Sequence, residues 1–156
     1  MRRPGAFAVG DFRRHQHSLA RRGDEECHHA KAAAYLESIS ARDDVAISEL
    51  ALVELYLLLR NPAVLRRPLT PADAVRICDE FRRHPAWQII GFPSDSRAFH
   101  DAYWPRLAAR DFARRRACDY RLALTLIRQG VQDFATVNTE DFEGFGFRRV
   151  WNPLES

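Results

Sequence analysis

The strongest constraint on the fold is the alternation of long helical patterns with short apolar segments. Helical spacing of apolar residues extends over 25–42, 49–60, 71–84, 95–109 and 114–129. Short strands are predicted between and after these helices, at VAIS, WQIIGF, DFATV and FRRVW. Alternating elements of these lengths favour an α/β layered domain with a small, mostly parallel central sheet.

Capping residues set the predicted helix boundaries. Ser48 is expected to cap the second helix, and Thr70 followed by Pro71 the third. Pro105 is expected to bend or split the fourth helix, and Gly130 to close the fifth. The stretch NTEDFEGFG between the last two strands is predicted to be a turn.

Length and composition indicate one domain covering residues 1–156. A chain of 156 residues that is 46% hydrophobic is long enough for one core and short for two. GAFAV near the start could form a strand, but the rest of residues 1–24 lacks an apolar face and is expected to be divergent or poorly ordered. With no apolar run of 18 residues and no signal-peptide core, we expect no membrane association and a cytoplasmic location.

Cysteine and histidine residues give no metal-binding pattern. Cys27, Cys78 and Cys118 are far apart and odd in number, which fits free thiols in a reducing compartment. The runs Cys27-His28-His29 and His15-x-His17 do not favour zinc, because consecutive helical residues point about 100° apart.

Glu54 is an acid in the middle of an apolar helix, SELALVELYLLLRNP. Leu50 and Ala51 lie one turn before it, and Leu57 and Leu58 one turn after it. An ionised carboxylate in such a place needs a cation, hydrogen bonds or a raised pKa. The alternative is that Glu54 is a boundary residue paired with one of the many arginines.

Asp119 and Asp141 are the other two acids of interest. Asp119 opens a helix beside an apolar stripe, where it could also be an ordinary helix-start aspartate. Asp141 follows a strand in TVNTEDF, where common turn chemistry is the alternative. If the three acids converge, their oxygen ligands suit Mg²⁺ or Mn²⁺, which can activate water against a phosphodiester.

Arginine supplies nearly all the positive charge. The 24 basic residues include a single lysine, Lys31, and the net charge is +3. In the run of residues 114–116, Arg115 and Arg116 precede Asp119 by about one turn and could hold RNA phosphates beside a metal site. The alternative is a solvated helix face.

These motifs together resemble the PIN-domain toxins of the VapC type from bacterial toxin–antitoxin pairs. The resemblance covers residues 24–154 and rests on the order of four features: the acid in SELALVELYLLLRNP, then D-x-R-x-A-L-x-L-x-x-x-G, T-x-N-x-x-D-F and a closing WNPL. It implies a PIN-like three-layer α/β/α sandwich and an endoribonuclease that depends on Mg²⁺ or Mn²⁺. It also implies a cognate antitoxin that covers the active site, and a homodimer.

The resemblance also assigns residues. Glu54 matches the acid of the second helix, Asp119 the acid of the later helix, and Asp141 the acid of the last motif. Asp11 after GAFAVG is the candidate for the first aspartate, although an arginine-rich segment follows it where the family has an apolar helix. These four acids are the predicted catalytic residues and metal ligands. The predicted substrate-binding residues are Thr136, Asn138, Arg115 and Arg116.

The leading hypothesis is therefore a metal-dependent endoribonuclease toxin that hydrolyses RNA phosphodiester bonds. The alternative is a catalytically impaired PIN-like binding protein that still binds an antitoxin, because of the divergent N-terminal segment. A phosphodiesterase acting on DNA is a third possibility.

Overall fold

A five-stranded sheet forms the centre of the protein. The computed structural model describes the backbone of residues 5–7 and 22–155 and the side chains of residues 30–155. All strand pairs are parallel, and the strand order is β3-β2-β1-β4-β5. The strands are β1 (Gly5–Phe7), β2 (Val45–Ser48), β3 (Gln88–Ile90), β4 (Asp133–Ala135) and β5 (Arg149–Trp151). The α/β fold with a parallel sheet, predicted from the alternation of elements, is confirmed.

The helices follow the predicted order. They are α1 (Arg22–Ile39), α2 (Glu49–Leu59), α3 (Pro71–Arg82), α4 (Ser96–Leu107), α5 (Ala117–Arg128) and α6 (Thr139–Phe142), and a 3₁₀ turn (Arg114–Arg116) precedes α5. The predicted caps are confirmed: Ser48 accepts a hydrogen bond from the Leu50 N–H, and Thr70 accepts one from the Asp73 N–H. No helix in the described part of the chain has the length and apolarity needed to cross a bilayer.

Three local predictions differ from the structure. The stretch predicted as a turn after β4 contains the short helix α6. Helix α4 continues through Pro105 to Leu107 and is not split there, although proline lacks the N–H that would bond to the oxygen four residues earlier. The strands other than β2 are also shorter than the apolar runs that predicted them, since residues at the run ends enter the connecting loops.

Two apolar clusters lie against the sheet. Ala46 of β2 packs in a cluster with Leu122, Ala123 and Leu126 of α5. Val45 and Ile47, which alternate with Ala46 along β2, belong to a second cluster with Ile39 and Ala51. All four residues of β2 are buried, as expected for a parallel strand covered on both faces.

The order in which the chain adds strands to the sheet reverses between β1 and β4. The chain runs outward from β1 through β2 to β3, and then adds β4 and β5 on the other side of β1. Strand β1 pairs with β2 on one side and with β4 on the other, and Phe7 lies opposite Ala135. The carboxyl ends of β1 and β4 therefore lie side by side at one edge of the sheet. Such a switch point is where open α/β sheets place their ligand sites. Asp11 follows β1 by four positions but lies outside the described residues.

Candidate active site

Asp119 is a buried acid in the first turn of α5. Its exposed fraction is 8%, and the same helix buries Leu122, Ala123 and Leu126 against the sheet. The apolar stripe therefore fixes the rotation of α5, and with it the direction of Asp119. The helix dipole favours a negative charge at this end.

Asp141 is a second buried acid, in the short helix α6 that follows β4. Its exposed fraction is 3%. The Thr136 hydroxyl, also buried, accepts a hydrogen bond of 3.2 Å from the Asn138 N–H. The Asn138 side-chain amide then donates a hydrogen bond to Oδ2 of Asp141. The spacing T-x-N-x-x-D thus builds a turn in which each polar residue orients the next.

Arg116 connects the two segments that carry these acids. Its Nη2 and Nε donate to the main-chain oxygen of Asp141 at 2.8 and 3.3 Å, and Nη2 also donates to the Glu143 oxygen at 3.0 Å. Because Arg116 directly precedes α5, these bonds hold the start of α5 beside α6. The segments of Asp119 and Asp141 are therefore neighbours.

Glu54 is partly buried in the middle of α2, which begins directly at the carboxyl end of β2. Glu49, at the first position of the same helix, points elsewhere. Its carboxylate lies so close to Gly91, beyond β3, that a Cβ on that glycine would be 3.1 Å from Oε1.

The described acids have the donor chemistry that a hard cation needs. Buried carboxylate oxygens at the carboxyl edge of a parallel sheet suit Mg²⁺, which keeps several waters and takes only one or two carboxylates. Among residues 30–155, no group of three or more His, Cys, Asp or Glu side chains is placed to hold a metal ion. Since Asp11 lies outside the described residues, the four-acid ligand set stays a prediction.

The predicted substrate-binding residues have different surroundings. Arg115 is exposed, whereas Arg116 is partly buried and binds main-chain oxygens. Thr136 is 2% exposed, and Asn138 is engaged with Asp141. Contacts of these four residues with RNA stay predictions.

The structure also adds a residue that the sequence patterns did not single out. Tyr103 of α4 donates its hydroxyl to the Ala117 main-chain oxygen at 3.0 Å and stacks on Tyr120 with ring centroids 5.7 Å apart. Burial raises the pKa of Tyr103. Tyr103 thereby supports the start of α5. Its only signal in the sequence is its position on the apolar side of α4.

Cys78 and Cys118 are free thiols, and Cys78 is partly buried while Cys118 is exposed. The side chains of Cys27, His28 and His29, and the whole of His15 and His17, lie outside the described residues. The rejection of a zinc site at those positions stays a prediction.

Comparison with known proteins gives one clear result. No protein-family model matches the sequence. The chain is 45% identical over 128 residues to a protein named Ribonuclease VapC24 in two strains of Mycobacterium tuberculosis. The match covers 82% of this chain and 86% of the relative. The chain therefore belongs to the VapC family of ribonucleases.

Proposed function

We propose that this protein is a metal-dependent endoribonuclease toxin of a toxin–antitoxin pair. The observation that carries the proposal is the placement of two buried acids, Asp119 and Asp141, on neighbouring segments at the carboxyl edge of a parallel sheet. Burying two carboxylates is costly unless cations or hydrogen bonds compensate, and a divalent ion makes their proximity favourable. The relatives named ribonucleases support the same activity.

The acids that would hold Mg²⁺ or Mn²⁺ are Asp11, Glu54, Asp119 and Asp141. A bound ion of this kind lowers the pKa of a water and neutralises negative charge on the phosphoryl group. The contribution of the chain is to present carboxylate oxygens in a fixed arrangement. Asn138 orients the Asp141 carboxylate by its hydrogen bond to Oδ2, and the packing of α5 orients Asp119.

The substrate would be single-stranded or loop RNA. Arg115 is exposed about one turn before Asp119, so its guanidinium is suited to a phosphate of the RNA backbone. We assign Thr136 and Asn138 to the wall of the same binding site, because they shape the loop that follows β4. The guanidinium of Arg116 is instead bound to main-chain oxygens.

The proposal extends to the architecture and the partners. The two apolar clusters, which involve alternate residues of β2, support a single PIN-like domain with a three-layer α/β/α arrangement. A cognate antitoxin, a homodimer and a cytoplasmic location are part of the same proposal. The exposed Val53 and Leu57 on α2, four residues apart and so on one helix face, provide an apolar surface for a protein partner.

The competing function is a binding protein that has lost the chemistry but retains the antitoxin site. The arginine-rich segment after Asp11 favours it, because this segment lacks the apolar pattern of the first PIN helix. The two functions differ in whether RNA is cleaved.

The test is cleavage of RNA oligomers with and without Mg²⁺ or Mn²⁺, with DNA oligomers of the same sequence in parallel. We expect metal-dependent cleavage of RNA that Asp119→Asn and Glu54→Gln reduce by about 100-fold or more, as for loss of a metal ligand. The matched controls are Glu140→Gln, beside Asp141, and Glu49→Gln, on the helix of Glu54. Both should keep wild-type activity. Equal activity of Asp119→Asn, Glu54→Gln and wild type would reject the proposed site, and an inactive wild type would favour the binding protein.

A further inference from the structure

Arg116 differs from its two neighbours in the run of arginines. Arg114 and Arg115 are exposed, whereas Arg116 is partly buried at the junction of the 3₁₀ turn and α5. Its guanidinium donates to two main-chain oxygens of another segment, 25 and 27 positions further along the chain. A guanidinium that binds carbonyl oxygens in this way is part of the protein framework.

An aromatic ring contacts this guanidinium. The Cζ atom of Arg116 lies 4.2 Å from the centroid of the Phe145 ring. Phe145 in turn packs on Tyr120 of α5, with ring centroids 5.1 Å apart. Arg116 is therefore held between α5 and the loop after α6 by a cation–π contact as well as by hydrogen bonds.

Helix α6 needs such external support. It has four residues, Thr139–Phe142, and a single helical turn is unstable by its own hydrogen bonds. Phe142 anchors one side of the turn in the core at 1% exposure. Arg116 binds the main-chain oxygens of Asp141 and Glu143, which lie on either side of Phe142. The backbone at Asp141 thus has a fixed place relative to α5.

We propose that Arg116 is a positioning residue that sets the distance between the Asp119 and Asp141 carboxylates and so tunes the affinity of the site for its divalent cation. This rests on the proposed function. Asp119 lies three positions after Arg116 on one continuous helical stretch. Arg116 donates a hydrogen bond to the main-chain oxygen of Asp141. Loss of these hydrogen bonds would change the distance between the Asp119 and Asp141 carboxylates. Arg116 therefore acts through Asp141 and not through contact with RNA.

The experiment compares Arg116→Ala and Arg116→Lys with Arg114→Ala, a matched control from the same 3₁₀ turn. Mn²⁺ binding is measured by calorimetry, and RNA cleavage is measured over a range of Mn²⁺ concentrations to give kcat and KM. We expect Arg116→Ala to weaken Mn²⁺ binding by about 10-fold or more, as for loss of a group that orients a metal ligand. The KM for RNA at saturating Mn²⁺ should be unchanged. Arg114→Ala should bind Mn²⁺ as wild type does.

Arg116→Lys gives a graded result. A lysine ammonium can reach one carbonyl oxygen but lacks the planar fork that serves two acceptors and stacks on a ring. We expect its Mn²⁺ affinity to lie between those of wild type and Arg116→Ala. This variant also keeps the test open if Arg116→Ala does not fold.

Hydrogen exchange supplies a readout that does not depend on cleavage or metal. The N–H of Glu143 bonds to the Thr139 oxygen at 3.1 Å, and the N–H of Phe145 bonds to the Phe142 oxygen at 3.4 Å. Both N–H groups should exchange faster in Arg116→Ala than in wild type, and at the wild-type rate in Arg114→Ala.

Two outcomes would overturn the proposal. One is a raised KM for RNA with wild-type Mn²⁺ affinity, which would make Arg116 a phosphate contact. The other is unchanged exchange at Glu143 and Phe145 in Arg116→Ala, which would show that Arg116 does not hold α6. A wild-type protein that neither binds Mn²⁺ nor cleaves RNA would instead reject the proposed function, while the exchange data still decide whether Arg116 holds α6.

Discussion

Helices α2 and α5 each carry a candidate acid, but they bury their side chains very differently. Helix α5 buries five residues, Asp119 among them. Of the residues of α2, all of which the structure describes, only Ala51 is fully buried, although the helix is almost entirely apolar. Val53 and Leu57 of α2 are 57% and 49% exposed.

The difference shows what positions each acid. In α5 the packing of one face against the sheet fixes Asp119 within the fold. In α2 the apolar residues exceed what the fold buries, so the outer face is left to solvent or to a protein partner. The orientation of Glu54 therefore depends less on the core than that of Asp119 does.

The contrast between α2 and α5 should be largest in the free energy of unfolding. Leu126→Ala removes a side chain of α5 with 0% exposure and should lower the free energy of unfolding by about 2–5 kcal/mol. Leu57→Ala, the matched change on α2, should alter it by less than about 0.5 kcal/mol, since Leu57 is half exposed. Urea denaturation of both variants measures the difference. Similar losses would mean that the outer face of α2 is covered in the folded protein.

A smaller loss in the free energy of unfolding is expected from a change at the start of α2. Helix α2 relies on the Ser48 side chain as its cap, whereas α5 has no side-chain cap and is held by Tyr103 and Arg116. Ser48→Ala should lower the free energy of unfolding by about 1 kcal/mol. Ser94→Ala, in an exposed loop, is the control and should have no effect in the same urea titration. A neutral Ser48→Ala would show that packing alone fixes the start of α2.

The smallest effect concerns pH and helix α3, which packs beside α2. A hydrogen bond from Arg82 holds the pKa of Asp79 below its ordinary value of 3.8. A carboxylate with a lowered pKa in the folded state stabilises the protein above its unfolded pKa, and this contribution is lost as pH falls through the folded value.

The measurement for Asp79 is stability against pH below about pH 5, where carboxylates begin to take up protons. Asp79→Asn should be slightly less stable than wild type at neutral pH, and the two curves should converge on acidification. Asp101→Asn, an exposed position on α4, serves as the control. Curves that stay parallel down to acid pH would contradict the role of the Arg82 contact.

Elements whose local sequence pattern agrees with their burial were predictable, and elements held by distant contacts were not. The strand Val45–Ser48 and the caps at Ser48 and Thr70 agree with their sequence patterns, because local propensity and burial favour the same structure there. Helix α6 is not predicted because its four residues, three of them polar or acidic, are too few to show a helical period. The contacts that hold it come from Arg116 and from the buried Phe142.

The candidate site was predictable to a similar degree. The apolar stripe of α5 predicts that Asp119 lies beside the core, and the burial of Asp119 agrees with that pattern. The role of Arg116 has no local signal, since its partners are main-chain oxygens 25 and 27 positions away that any residue would provide. An apolar helix such as α2 likewise gives no periodicity from which to choose the buried face.

We propose that Asp119 and Asp141 share one divalent cation, and crystals grown with Mn²⁺ would locate that ion. Anomalous scattering locates the manganese ion without reference to activity. We expect a peak within about 2.0–2.6 Å of a carboxylate oxygen of each acid, or linked to one of them through a bound water. A fully occupied Mn²⁺ site elsewhere, or no peak at saturating Mn²⁺, would contradict the account.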